Sequence, residues 1–185
     1  MSRGRRTQGD DGVAIVEMAL VLPILVVLML GMFTGALAWN QSQALGQGAR
    51  VTARYASTLP LPVADTSEGE TQTGVEEAWL DELIDRTVAA SEGELSADTE
   101  GRKICVAYVD PAGTETDRTI SRTLTGAASY SALSTTPCFA DGQADTARRV
   151  QVLVERSGHI DTGFYRIPLT MRRTAVYRYE ADGGL

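Results

Sequence analysis

The side chains with the most chemical capacity in this chain are few and widely separated. There is one histidine, His159, and there are two cysteines, Cys105 and Cys138. A glutamate, Glu17, interrupts the start of an otherwise apolar run. A lone histidine cannot supply a histidine metal cluster, and no serine or acidic partner stands near it in a pattern that suggests a Ser-His-Asp constellation. His159 falls among Ser157, Gly158, Thr162 and Gly163 and reads as a surface turn residue. The glycine-containing loops show neither a phosphate-binding nor a dinucleotide fingerprint. The carboxylates are numerous, and none pairs off as an acid and a base. No enzyme activity, cofactor or metal is expected.

The two cysteines are too far apart for a redox CxxC motif, and their context decides their reading. If they lie in an oxidising compartment they form one disulfide, which in the chain-entropy model removes about 3–4 kcal/mol of unfolded-state entropy. The alternative is two buried free thiols. What decides the compartment is the N-terminal third. From Met18 to Trp39 roughly 22 residues pass without a charge, and about 20 are enough to cross a bilayer as a helix. Arg3, Arg5 and Arg6 precede this run, whereas the flank beyond it meets its first charge only at Arg50. By the positive-inside rule the N-terminus is cytoplasmic and the remainder, including both cysteines, is translocated.

Glu17 then requires a reason, because a carboxylate within the hydrocarbon costs up to about 3 kcal/mol and less near the interface. It is either solvated at headgroup depth or employed. A secretory signal is a competing reading, since Ala36-Leu37-Ala38 forms a small-x-small cleavage site that would release a chain starting at Trp39. The apolar run is longer than an ordinary signal core, however, and its helical pattern continues through that point.

That pattern extends well past the span. Ala44, Ala49, Ala53 and Ala56 recur at helical spacing with Leu45, Val51 and Tyr55 among them, so one helix is expected from about Val13 to about Ser57. Gly46 and Gly48, each about 1 kcal/mol worse than alanine in a helix, allow a break or bend. Residues 58–74 read as a loop. A second, amphipathic helix follows, started by a Thr73/Glu76 capping box, with Val75, Trp79, Leu83, Ile84 and Val88 on one stripe that ends near Gly93. Its Trp79 face should pack on a sheet built from Lys103–Val109, Arg148–Arg156 and Thr170–Glu180, the last two paired as an antiparallel hairpin. Ser157-Gly158 and Thr162-Gly163 supply turns after the middle strand, and Pro168 argues against a continuous central strand through Tyr165–Leu169. Residues 111–145 read as a surface loop with a short strand over Thr119–Leu124, tied back through Cys138. Ala181–Leu185 reads as a frayed end.

The fold class is therefore α+β: a long, pilin-like N-terminal transmembrane helix followed by a small domain with one amphipathic helix packed on an antiparallel sheet. The expected division is a cytoplasmic leader over 1–12, the transmembrane helix over 13–39, its extension over 40–57 and an extracytoplasmic domain over 58–185. Within the span, Gly31 and Gly35 form a Gly-xxx-Gly pair that permits close helix packing, and Pro23 stands where it could bend the helix. The whole chain carries a net charge of −7, and Arg148-Arg149 and Arg172-Arg173 are short pairs rather than a stripe, so nucleic acid is not an expected partner.

Gly12 followed by Val13, Ala14, Ile15, Val16 and Glu17 resembles the type IV prepilin processing signal. The resemblance implies that a prepilin peptidase cuts between Gly12 and Val13 and makes Glu17 the fifth residue of the mature chain. A cut there would create an ammonium group one helical turn from the Glu17 carboxylate, which could neutralise it within the chain or on a neighbour. More specifically, Gly12–Pro23, with the alanine- and arginine-rich stretch Gln47–Arg54 and the tail near Arg178-Tyr179-Glu180, resembles TadE-like proteins, pseudopilin-type components of tight-adherence (Flp) pilus systems. Met18 stands where members often carry an aromatic residue, and Asp10 and Asp11 make the leader less basic beside the cut.

That resemblance implies a minor pilin, pseudopilin or pilus-assembly role. Its partners would be the membrane, other pilin-like subunits, the Tad assembly platform and the prepilin peptidase. The rival expectation is an unprocessed, membrane-anchored extracytoplasmic domain that binds a ligand through its loops.

Overall fold

The computed structural model describes residues 10–112, 119–143, 146–161 and 165–181. Helix α1 (Asp10–Thr58, 49 residues) is followed by a 3₁₀ turn (Thr66–Glu68), helix α2 (Gln72–Ala90) and strands β1 (Lys103–Val109), β2 (Ile120–Thr125), β3 (Ser129–Tyr130), β4 (Arg149–Asp161) and β5 (Arg166–Arg178). The strands form one antiparallel sheet in the order β3-β2-β1-β4-β5. This is the α+β, pilin-like arrangement expected: a long apolar helix, a second helix and a sheet packed against both.

Helix α1 is about 73 Å long at 1.5 Å per residue and changes character part-way. Up to Trp39 most of its apolar side chains are exposed, with Met29 and Met32 each at 75%. From Ala44 onward it enters the domain, where Leu45, Ala49, Thr52, Ala53 and Ala56 are fully buried. Their spacing puts them on one face, and their small size lets the sheet come close.

The two glycines do not break the helix. A Cβ on Gly48 would lie 2.1 Å from Ser91 Oγ and 3.0 Å from the Thr87 carbonyl oxygen, so this glycine is where α2 crosses against α1. Ser91 Oγ donates 2.6 Å to that same carbonyl, and the buried hydroxyls of Thr52 and Thr87 meet 3.0 Å apart. Gly48→Ala should therefore destabilise the domain by about 1–3 kcal/mol, as overpacking does. The expected lowering of the melting temperature is checked by circular dichroism against Gly46→Ala. At Gly46 the nearest added contact is the Arg173 side chain at 3.8 Å, and the effect should be small.

Helix α2 is capped two residues earlier than the capping-box reading places it. Thr71, in extended conformation, is the N-cap, and its hydroxyl accepts from the Gly74 N–H at 3.2 Å. Thr73 is already helical and cannot cap. Glu76 is buried instead and accepts from Gln72 Nε2 at 3.0 Å. Gln72 also donates to the Pro62 carbonyl and accepts from the Ala64 N–H, which ties the preceding loop to the helix. Trp79, Leu80, Leu83 and Ile84 join the core formed with α1 and the sheet and Val88 packs against it, so the expected stripe is the core face from Trp79 onward, while Val75 lies outside that core.

Strand β1 is buried on both faces. Ile104, Val106 and Tyr108 face the helices, whereas Cys105 and Ala107 face the other way and are equally inaccessible. Residues 111–145 are thus more than a loop. They contribute β2 and β3, an isolated bridge between Ser121 and Ser134, and the segment around Cys138 that reaches the back of the sheet.

The β4–β5 hairpin is longer than expected, with an unbroken register from Arg149↔Arg178 to Asp161↔Arg166. Ser157-Gly158 is not a turn but lies within β4, opposite Thr170 and Leu169. A Cβ on Gly158 would stand 2.8 Å from Met171 Cε, and Ser157 N–H donates to the Glu100 carbonyl, so small residues here accommodate close neighbours. His159 is accordingly a strand residue, opposite Pro168. Pro168 is tolerated because β5 is an edge strand and its missing N–H falls on the unpaired side. The Thr162-Gly163 turn lies outside the described residues. At the C-terminus Tyr179 Oη donates 2.7 Å to the Leu59 carbonyl, Glu180 N–H donates to the Ser57 carbonyl, and Ala181 packs on the core, so fraying does not begin at Ala181.

Candidate functional site

Three places carry the residues singled out by the sequence: the beginning of α1, its glycine pair and the disulfide. Gly12, Val13 and Glu17 all lie on α1 and are exposed. Gly12 falls in the first turn, where backbone N–H groups have no intrahelical partner, so the peptide bond after it belongs to the most easily opened part of the helix. Nothing stands within 4 Å of a Cβ built on Gly12. Val13 and Glu17 are one turn apart on nearly the same face, separated by about 6 Å along the axis.

Gly35 lies about five turns beyond Glu17 and shares its face. Gly31 and Gly35 are open, with no atom within 4 Å of an added Cβ. No other described element fills the Gly-xxx-Gly notch. The helix beyond it does approach the domain: Gly35, Ala38, Trp39 and Ser42 line a groove whose opposite wall is Ile160 and Leu169–Arg173 of the hairpin. Arg173 closes the upper end, where its Nε donates to the Ser42 carbonyl at 3.3 Å.

Cys105 and Cys138 are joined, with Cα atoms 5.8 Å apart. The bond pins the segment after β3 to the back of β1, and a polar cluster continues the attachment. Asp141, its side chain only 5% exposed, pairs with Arg149 and accepts from Gln151 Nε2 at 2.7 Å. The Phe139 N–H meets Gln151 Oε1. Burial alone would raise the Asp141 carboxyl, but hydrogen bonds from Gln151, the Gln143 N–H and Arg149, with the Arg149 charge, outweigh it and hold the group below the usual aspartate value.

Several residues that organise the domain had no distinct signal in the sequence. Arg102 is almost fully buried, and its guanidinium donates to the Leu95, Gly126 and Ala127 carbonyls. It thereby holds the β2–β3 turn against the loop that follows α2. Arg122 reaches Glu77 and Asp81 at 3.2 Å each, and Tyr130 Oη donates to Asp85 at 3.3 Å. Desolvation raises the Asp81 carboxyl despite the opposing Arg122 charge. The four-residue spacing of Glu77, Asp81 and Asp85 puts them on one helix face, and the arginine that meets it comes from another element. Among the described residues no group of three or more His, Cys, Asp or Glu side chains is placed to hold a metal ion. His159 is exposed.

The arrangement offers a long apolar helix surface, a small exposed N-terminal motif and a covalently stapled domain: parts suited to holding and assembling. Residues 12–54 match the family described as TadE-like protein. The match begins at Gly12 and ends inside the buried extension of α1. No curated protein matches the chain, and no solved structure does.

Proposed function

We propose that this chain, which carries a TadE-like domain at residues 12–54, is a minor pilin or pseudopilin of a Tad (Flp) pilus-assembly system. In this reading a prepilin peptidase cuts between Gly12 and Val13, α1 spans the membrane with its N-terminus cytoplasmic, and the stapled domain stands outside. Its partners are other pilin-like subunits and the assembly platform, and its role is non-enzymatic.

The observation that carries this reading is the coincidence of the family match with the two-part helix. One continuous α1 is apolar and exposed through its first part and anchored in the domain through its last. A helix of that kind can join a bundle of like helices while holding a globular domain at a fixed distance. The disulfide supports the oxidising side for that domain. Arg3, Arg5 and Arg6 support the orientation.

Glu17 is assigned to neutralising the new ammonium group, on its own chain or on the neighbouring subunit. Glu17→Ala removes a charge partner and no apolar packing. It should leave membrane insertion intact and lower crosslinking to neighbouring subunits by at least about tenfold, because breaking a buried pair costs about 3–5 kcal/mol. Wild-type crosslinking in that variant contradicts the role.

A further inference from the structure

The β4–β5 hairpin runs down α1 toward the membrane rather than away from it. One face of the hairpin follows the helix through the cross-strand pairs Val152↔Ala175, Val154↔Arg173, Gly158↔Leu169 and Ile160↔Ile167. Arg173 touches the helix at Ser42 and lies near Gly46. From there to the Ile160↔Ile167 pair is six residues, about 20 Å of strand. That is more than the three helix residues, about 5 Å, that separate Ser42 from Trp39 at the end of the apolar run. The groove contacts agree, since Ile160 and Leu169 face Gly35, Ala38 and Trp39.

The described part of the hairpin end carries exposed apolar and aromatic side chains. Tyr165 is 78% exposed and Ile167 51%, and Trp39, on the wall of the groove that Ile160 also lines, is 65% exposed. An exposed tryptophan and an exposed tyrosine at the end of the domain nearest the span, with Arg166 next to the tyrosine in the chain, match the composition of a membrane–water interface, where aromatic rings sit at headgroup depth and arginines meet phosphates. Pro168, with no N–H, sits on the outer edge of this end and removes one donor that lipid could not satisfy.

We propose that the end of the β4–β5 hairpin carrying Ile160, Tyr165 and Ile167 lies in the extracytoplasmic lipid interface beside Gly35–Trp39. The domain then meets the bilayer at two points, helix and hairpin, which fixes its rotation about the helix axis. Moving such a subunit into a filament requires the hairpin to leave the lipid. The inference rests on α1 being a membrane span, and its test separates the two.

Single cysteines replacing Ile167, Phe33 and Val63 are labelled with an environment-sensitive fluorophore in the otherwise full-length, unreduced chain, whose native cysteines are bonded to each other. Each protein is placed in vesicles of phosphatidylcholine and phosphatidylglycerol, with and without brominated acyl chains. Bromine should quench the Phe33 and Ile167 labels by about half or more and leave Val63, 84% exposed in the segment between α1 and α2, within about a tenth of its unquenched signal. Quenching at Phe33 without quenching at Ile167 overturns the hairpin proposal and leaves the span standing. No quenching at either overturns the span itself. An Ile167 label that is blue-shifted, unquenched by bromine and exposed by diluting protein in lipid assigns the hairpin end to a neighbouring copy, and this too overturns the proposal.

Discussion

Gly12→Leu is expected to leave the chain at full length in cells that contain the prepilin peptidase, while the wild type loses its first residues. The proposed cut lies between Gly12 and Val13, and a protease must bring its catalytic groups against the backbone there. Glycine permits that approach because it has no side chain and the widest φ/ψ freedom. Leucine obstructs the approach and also favours the helix by about 1 kcal/mol, which opposes opening of the first turn. Misplacement of a scissile bond by about 1 Å can slow a reaction about 100-fold, so the product should fall at least that far. The fold supplies the control. An added Cβ at Gly12 meets nothing within 4 Å, so the domain's melting temperature should stay at its wild-type value. Gly12→Ala should be cut at an intermediate rate. Intact mass of the membrane fraction reads all three chains, and wild-type processing of Gly12→Leu contradicts the proposed site.

Replacing both Cys105 and Cys138 by serine should lower domain stability by about 3–4 kcal/mol in the chain-entropy model of loop closure. For a domain of this size the melting temperature should fall by about 10–20 °C. The loss is also local. Without the bond the segment carrying Phe139 and Asp141 is still held by the Asp141–Arg149–Gln151 cluster and, upstream, by the Ser121 contacts to Ser134 and Thr136, and its loosening uncovers position 105, Ala107 and Gln151 on the back of the sheet. Hydrogen exchange in β1 and β4 should rise most at those positions. Thermal denaturation with and without reductant checks the size of the effect. A melt that is insensitive both to reduction and to the double substitution contradicts the structural role of the bond.

Much of this architecture was legible because strong periodicity leaves few choices. The apolar run and the alanines after it specified a helix over Val13–Ser57, and α1 runs Asp10–Thr58. Lys103–Val109 is a strand with the bounds its composition suggests. The stripe from Trp79 to Ile84 faces the core.

The errors share a cause, which is that small and polar residues have several uses. Ser157-Gly158 has the composition of a turn but occupies a strand where Met171 and Gly101 come too close for larger residues. Gly48 looked like a weakness in a helix and is the crossing point of two. Thr71 and Thr73 both suit a cap, and only the direction of the incoming chain selects Thr71. Arg102, Asp141 and Gln151 had no pattern at all, since each is satisfied by carbonyls or side chains from distant elements that are adjacent only after folding.

The candidate site divides in the same way. The disulfide was legible from compartment and spacing, and the motif at Gly12 and Glu17 from its order along the chain. The Gly31/Gly35 pair was legible as a notch. Its position on the same face as the hairpin groove was not, because that depends on how the sheet meets α1.

The central claim is that α1 is matured at its beginning and retained as a membrane helix. The most direct measurement is the intact mass of the protein purified from membranes of cells that contain the peptidase. The account predicts a chain that begins at Val13 and keeps the whole span. A chain that begins at Met1 or Ser2 contradicts the processing, and one that begins at Trp39 contradicts both the processing and the anchor.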